Sequence, residues 1–181
     1  RLRDPEEPVA KLMAAAAGLG GRLGPVLLQL PPNLTADPGR LAACLAAFAG
    51  HRAGVRVAVE PRHPSWWTGE VRQVLTEHGS ALCWADQHGR PVTPLWRTAG
   101  WGYLRFHQGT AQPWPRYGPR ALRSWRDRVA ATWPDEATVY AYFNNDPGGA
   151  AVADSAAFAA ACRRAGRTVT RTPGVTAAPA R

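Results

Sequence analysis

Long hydrophobic runs are missing from the sequence: none could span a bilayer, and no basic segment followed by an apolar run marks a secretory signal. Cysteine is scarce as well, and the spacing of Cys44, Cys83 and Cys162 fits neither a CxxC zinc motif nor a disulfide framework. All three lie on predicted apolar faces, which is typical of buried thiols in a reducing compartment. These absences predict one soluble, cytoplasmic domain with no membrane partner.

Lysine is nearly absent, because Lys11 is the only lysine among the 22 basic residues. The formal net charge of +9 would ordinarily suggest nucleic acid as a partner. The arginines are scattered, however, and no basic run alternates with aromatic residues. We therefore expect no specific nucleic-acid binding, and the sequence indicates no protein partner.

One segment combines an apolar strand with a polar turn. Residues 139–143 contain the Val, Tyr and Phe that strands favour, and Asp146-Pro147-Gly148-Gly149 supplies an N-cap and a proline for a first helical turn. Asn144, Asn145 and Asp146 would emerge at the carboxyl end of that strand. Ligands bind at this edge in parallel α/β folds, so the segment predicts a functional site.

Strands alternate with helices along the chain. Apolar runs predict strands at 26–30, 55–60, 81–86, 101–107 and 138–146. Helical periodicity predicts helices over 5–19 and 149–165, and three more that follow Asp37-Pro38, Trp66 and Gly118-Pro119. The prolines and Gly89 predict an irregular loop up to Thr98. The domain should cover 1–166, and 167–181 should be a tail with at most one short strand at Thr168–Thr170 before disordered residues.

The alternation predicts a parallel sheet that is either open and doubly wound or closed into a barrel. Counting alternate positions places a polar side chain at the end of each strand on one surface, namely Gln29, Glu60, Asp86, Arg105 and His107. Arg62 and either Asn145 or the pair Asn144 and Asp146 should lie nearby. Polar groups on every strand favour a barrel mouth over an open sheet. A barrel needs eight strands, and this sequence predicts three fewer.

Five motifs carry a family resemblance. They are LGPVLLQLPP at 23–32, VAVEPRHPSW at 57–66, YLRFH at 103–107, Tyr117-Gly118, and YAYFNND at 140–146. In this order the sequence resembles the domain-of-unknown-function 72, or YecE-like, family over residues 20–165. The resemblance implies a TIM barrel of which five of eight βα units are present, with the first three strands preceding Arg1. It implies no activity.

The polar residues at the strand ends suggest an enzyme that acts on a small anionic molecule, sugar-like or phosphorylated, without a cofactor. The catalytic candidates are Glu60, Asp86, His107 and Asp146, with Glu60 or Asp86 as general base and His107 as acid. Candidate ligand-binding residues are Gln29, Arg62, His63, Arg105, Asn144, Asn145, Gly148 and Gly149. The two arginines suit a carboxylate or phosphate, and the amides at Gly148-Gly149 would help to hold an anion.

Other interpretations use the same residues. The carboxylates and His107 could hold Mg²⁺ or Mn²⁺, as in sugar-isomerase-like barrels, although two nearby arginines would repel a divalent ion. The site could bind an anionic metabolite without reacting with it, or it could be a network of ion pairs that satisfies itself. His63 belongs either to the site or to the cap of the following helix.

Overall fold

The computed structural model describes residues 2–51 and 54–171. These residues form two compact units, one of residues 2–51, 54–83 and 96–100 and the other of residues 84–95 and 101–171. Each unit has its own sheet and its own cluster of buried apolar side chains.

The first unit contains a parallel sheet in the order β1-β2-β3. Its strands are β1 (Val26–Leu30), β2 (Val57–Pro61) and β3 (Ala81–Leu82), and its helices are α1 (Glu6–Ala16), α2 (Pro38–His51) and α3 (Gly69–Glu77). Leu30, Val57, Val59 and Leu82 pack with side chains of the helices in one apolar core. The alternate residues Gln29 and Glu60 are register partners, so they lie side by side on the other face of this sheet.

The second unit contains a mixed sheet in the order β5-β4-β6-β7. Its strands are β4 (Trp84–Gln87), β5 (Arg90–Pro91), β6 (Gly102–Phe106) and β7 (Val139–Phe143), and its helices are α4 (Pro119–Thr132) and α5 (Ala150–Arg164). β4 and β5 are antiparallel, whereas β4, β6 and β7 run parallel. The polar residues after β6 and β7 therefore emerge at the same edge of the sheet.

Register divides the side chains of this sheet between two faces. Trp84 pairs with Leu104, and Asp86 pairs with Phe106, which pairs in turn with Phe143. Trp84, Leu104, Phe106 and Phe143 form one core with side chains of α4 and α5, and we call this the helix-packed face. Arg105 pairs with Ala85 and Tyr142, whose side chains belong to the opposite face.

The expected TIM barrel, represented by five of its eight βα units, is wrong for the residues that the structure describes. Their strands belong to an open three-stranded sheet and an open four-stranded sheet, and no closed barrel is formed. Closure requires every strand to have a partner on both sides, whereas β1, β3, β5 and β7 are edge strands here. The predicted strand at 81–86 is also divided, since β3 ends at Leu82 and β4 begins at Trp84.

Three local predictions also need correction. The loop expected to be irregular contains β5, which forms a short antiparallel hairpin with β4. The first helix leaves α geometry after Ala16 and continues as 3₁₀ turns through Ala17–Arg22, where Gly20 has a positive φ. Thr168–Thr170 form no strand, and residues 172–181 of the predicted tail lie outside the described residues.

Within residues 2–51 and 54–171, no helix has the length and apolar character to cross a membrane.

Candidate functional site

The first unit carries predicted site residues near the carboxyl ends of β1 and β2. Glu60 is 1% exposed, and its Oε1 accepts hydrogen bonds from Nε and Nη2 of Arg62 at 3.2 and 2.9 Å. Register places Gln29 beside Glu60. A carboxylate this deeply buried needs its guanidinium partner, since an unpaired charge there would cost several kcal/mol. The structure thus pairs Glu60 with Arg62 and places Gln29 beside them. These three residues remain a predicted ligand site.

His63 caps the short helix that follows β2. Its Nδ1 accepts hydrogen bonds from the Ser65 N–H at 3.2 Å and from the Ser65 hydroxyl at 2.8 Å. The Ser65 oxygen accepts in turn from the backbone N–H of Ala36 at 2.8 Å. Of the two roles that the sequence left open, the structure shows the cap.

Asp86 lies on the helix-packed face of the second sheet and is 1% exposed. Oδ1 accepts from the Tyr117 hydroxyl at 2.6 Å and from Gly89 N–H at 3.1 Å, and Oδ2 accepts from Nε1 of Trp125 at 2.7 Å. Burial raises the pKa of Asp86 above its usual range, and these donors oppose the shift. Both oxygens are thus held by buried donors.

The expectation that Asp86 shares a surface with Arg105 and His107 is wrong. Asp86 is in register with Phe106, one residue away from Arg105, and adjacent residues of a strand point to opposite faces. The sequence could not reveal this, because residues 81–85 are all buried and a continuous apolar run does not distinguish the two faces of a strand. Asp86 is therefore bonded on the helix-packed face, away from the face of Arg105 and His107.

Tyr117 should make stability decrease at high pH. Burial, together with its hydrogen bond to Asp86, raises the pKa of Tyr117 well above its ordinary value of 10. The unfolded chain then loses this proton near pH 10 while the folded protein keeps it, so the folded state binds more protons above that pH. The contribution of Tyr117 to the free energy of unfolding is fully present below about pH 10. Above that pH it decreases by up to about 1.4 kcal/mol per pH unit.

Urea unfolding between about pH 9 and pH 11 tests this linkage. The free energy of unfolding should fall more steeply with pH for the wild type than for Tyr117→Phe, which has no phenol to ionise. Equal slopes in the two proteins would contradict the assignment.

The opposite face of this sheet carries Arg105 and His107, two residues apart on one chain. The strand ladder continues past β6, since His107 N–H donates to the Asp86 carbonyl at 3.1 Å and Asn144 N–H donates to the Phe106 carbonyl at 3.0 Å. The Asn144 amide nitrogen lies 2.9 Å from Nδ1 of His107. In this arrangement the amide donates to Nδ1, so the neutral ring carries its proton on Nε2.

Aromatic rings lie on the same face as these polar groups. The rings of Tyr103 and Tyr142 are 5.0 Å apart between centroids, and those of Trp101 and Tyr140 are 6.1 Å apart. Tyr142 is in register with Arg105, so an aromatic ring is level with the guanidinium-bearing residue on the neighbouring strand. Sites for small molecules are commonly lined by aromatic side chains with a few polar groups among them.

Asp154 of α5 is a second buried carboxylate, and sequence reasoning missed it. It is 0% exposed, and it accepts hydrogen bonds from Tyr117 N–H and Asn145 Nδ2 at 2.8 Å each and from Arg116 Nε at 3.2 Å. These bonds join the loop after β6 to the loop after β7. The missed signal is helical spacing, because Asp154 lies between Ala150, Ala151 and Phe158 on the buried side of α5.

The predicted site residues after β7 divide by environment. Asn145 is 1% exposed, and its Nδ2 also donates to the Pro115 carbonyl at 2.9 Å, while its Oδ1 has no hydrogen-bond donor. Asn144 and Asp146 are exposed. Gly149 N–H donates to the Asp146 carbonyl at 2.9 Å, so this amide is used in the turn. That bond weakens the prediction that the Gly148-Gly149 amides hold an anion.

No group of three or more His, Cys, Asp or Glu side chains is placed to hold a metal ion in the part of the chain that the structure describes. The predicted Mg²⁺ or Mn²⁺ ligands include Asp86, whose oxygens are occupied by Tyr117 and Trp125. Asp86 is therefore not available as one of those ligands.

A groove of about 520 Å³ lies elsewhere in the second unit, lined by residues of β7, α5 and the segment 167–171. None of the predicted site residues lines it. The groove and the carboxyl edge of β6 and β7 are therefore different places.

Parallel strands joined by helices, with polar side chains gathered at their carboxyl ends, define an α/β protein with a candidate small-molecule site at a sheet edge. The family model described as "Protein of unknown function DUF72" matches residues 1–179. The chain belongs to the DUF72 family, which confirms the resemblance drawn from its motifs.

Solved structures show the same fold. A DUF72 family protein from Enterococcus faecalis V583 is 20% identical with a TM-score of 0.71, and the match covers 89% of this chain and 67% of that protein. A DUF72 family protein from Thermotoga maritima MSB8 is 21% identical with a TM-score of 0.66, covering 86% of this chain and 64% of that one. This chain thus spans about two thirds of their length. A comparison with curated proteins finds no match.

Proposed function

We propose that this protein binds a small anionic molecule, sugar-like or phosphorylated, at the carboxyl edge of β6 and β7, and that His107 performs acid/base chemistry on it. One observation carries the proposal: Arg105 and His107 share the opposite face of the sheet, and Asn144 orients the imidazole from the next strand at 2.9 Å. A cation and an oriented imidazole side by side suit an anionic substrate.

Arg105 is the proposed anion-binding group. Its guanidinium is planar and presents paired N–H donors that match the oxygens of a phosphate or carboxylate. The net charge of +9 also favours the approach of anions by long-range attraction.

His107 is the proposed acid/base group. The Asn144 side chain can form a hydrogen bond with Nδ1 of His107 in both protonation states of the imidazole. With the amide nitrogen toward Nδ1, the neutral ring keeps its proton on Nε2 and can donate a hydrogen bond. Rotation of the Asn144 amide by half a turn presents its carbonyl oxygen, which accepts an Nδ1–H. Nε2 is then either a base or, in the imidazolium, an acid.

Two of the carboxylates predicted to be catalytic, Asp86 and Asp146, belong to the second unit, and only Asp146 keeps that role in this proposal. Asp86 is excluded as a base because its oxygens are held by Tyr117, Gly89 and Trp125. Asp146 is exposed two residues after Asn144, so we propose it as the second acid/base group of this edge.

The test is the binding of inorganic phosphate and glucose 6-phosphate by isothermal titration calorimetry, with and without EDTA. Arg105→Ala should weaken both affinities by about 10- to 100-fold, because a charge-assisted hydrogen bond contributes about 1.5–3 kcal/mol. Arg123→Ala, which removes an exposed arginine of α4, is the matched control for net charge and should change neither affinity.

Unchanged phosphate affinity in Arg105→Ala would refute the proposed anion site. Binding that disappears with EDTA would favour the metal-dependent alternative. If His107 is the acid/base, His107→Asn should bind glucose 6-phosphate but lose turnover of it, and binding without turnover in the wild type would indicate a binding protein.

A further inference from the structure

Trp114 is an exposed aromatic ring on a fixed support. It lies in the loop between β6 and α4, and the residue is 50% exposed. Its indole rests against Gly148 in the loop after β7, so closely that a Cβ at position 148 would overlap the ring. Gly148 also has a φ of +66°, a conformation that glycine adopts without strain. One side of the indole is therefore seated on backbone, while half of the residue remains exposed.

The loop that carries Trp114 is held by hydrogen bonds on both sides of it. Gly109 N–H donates to the Pro115 carbonyl at 2.9 Å, and Arg116 N–H donates to the Trp114 carbonyl at 2.7 Å. The buried amide of Asn145 donates to the same Pro115 carbonyl at 2.9 Å. A large apolar ring held exposed in one position is preorganised for a ligand, since little conformational entropy is lost when it is covered.

We infer that Trp114 is the stacking platform for the carbohydrate ring of the ligand. This inference rests on the proposed function, in which Arg105 and His107 bind the anionic group. Gly148 is four residues from Asn144, so the support of Trp114 lies within about 14 Å of the His107–Asn144 pair along the chain. The bond from Gly149 N–H to the Asp146 carbonyl folds residues 146–149 into a turn, so the actual separation is shorter than this extended-chain limit.

The chemistry of the ring and of its neighbours selects the carbohydrate. The face of an indole is electron-rich, so it disfavours a phosphate and attracts the weakly positive C–H groups on the flat side of a pyranose. Asn144 and Asp146 are exposed between the proposed anion site and Gly148. Their amide and carboxylate are suitable hydrogen-bond partners for sugar hydroxyl groups.

The test compares glucose 6-phosphate, inorganic phosphate and adenosine 5′-monophosphate by calorimetry on the wild type, Trp114→Ala and Trp114→Phe. Trp114→Ala should weaken glucose 6-phosphate binding by about tenfold, and Trp114→Phe by a smaller factor, since a smaller ring keeps part of the stacking. Inorganic phosphate should bind all three proteins equally. Val152→Ala removes an equally exposed apolar side chain, 49% exposed on α5, and should change nothing.

The three ligands and the Trp114 variants distinguish failure of the stacking platform from failure of the anion site. Equal glucose 6-phosphate affinity in the wild type and Trp114→Ala, with phosphate still bound, would overturn the platform and leave the anion site intact. Failure of the wild type to bind phosphate and both phosphorylated compounds would overturn both proposals. A selective loss of adenosine 5′-monophosphate affinity would show that the ring stacks on a base, which contradicts the carbohydrate assignment.

Discussion

Asp86→Ala should lower the free energy of unfolding by about 4 kcal/mol, because it leaves two buried donors without an acceptor and each such loss costs about 1–3 kcal/mol. The donors are the Tyr117 hydroxyl and Nε1 of Trp125, which bond to Asp86 at 2.6 and 2.7 Å. Domains are typically stable by only about 5–15 kcal/mol, so this change removes a large fraction of the total. Urea unfolding measures it.

Asp127→Ala is the control for Asp86→Ala. Asp127 is an exposed carboxylate on α4, so its removal should change stability by less than about 0.5 kcal/mol. Tyr117→Phe in the Asp86→Ala background should be less harmful than in the wild type, since the hydroxyl has already lost its acceptor. An unfolding midpoint that does not change in Asp86→Ala would refute the structural role of this carboxylate.

Asp154→Ala should be nearly as harmful, by about 3 kcal/mol, and its effect should concentrate in two loops. It removes the acceptor for Tyr117 N–H and for one N–H of Asn145, both at 2.8 Å. The loops after β6 and β7 would then lose the link that joins them. Hydrogen exchange should accelerate over residues 108–118 and 144–149, and phosphate binding should weaken, because Asn144 belongs to the second loop.

Val152→Ala provides the reference for α5, since it truncates an exposed side chain on the same helix and should leave exchange in both loops unchanged. Asp154→Asn retains one acceptor oxygen and should fall between the wild type and Asp154→Ala. Uniform acceleration of exchange along the whole second unit would show that Asp154 stabilises the unit generally, which contradicts its assignment to the two loops.

Local regularity made much of the secondary structure predictable. The apolar run at residues 26–30 is β1, and the periodic helix predicted over 149–165 is α5, Ala150–Arg164. The first follows from a short apolar run and the second from the helical period of about 3.6 residues, and both are properties of neighbouring residues that need no tertiary contact. The five motifs were also sufficient for the family, which the match over residues 1–179 confirms.

Sheet closure could not be derived in this way. Alternation of strands and helices predicts parallel neighbours, and β4, β6 and β7 are parallel. Closure depends on how many strands pair and whether both edges find partners, which is a property of non-local hydrogen bonds. The short β5 is an example, because two residues, Arg90 and Pro91, pair with β4 in a segment whose prolines suggested only a loop.

The residue types at the strand ends could be derived from the sequence, since Arg105, His107 and Asn144 follow from where the apolar runs stop. The face that each one occupies depends on strand register and packing. Asp86 turned out to be buried against Tyr117 and Trp125, and Asp154, in an alanine-rich helix, turned out to join two loops. The reason is physical: composition and period specify that a side chain is buried, whereas register and helix packing specify what it is buried against.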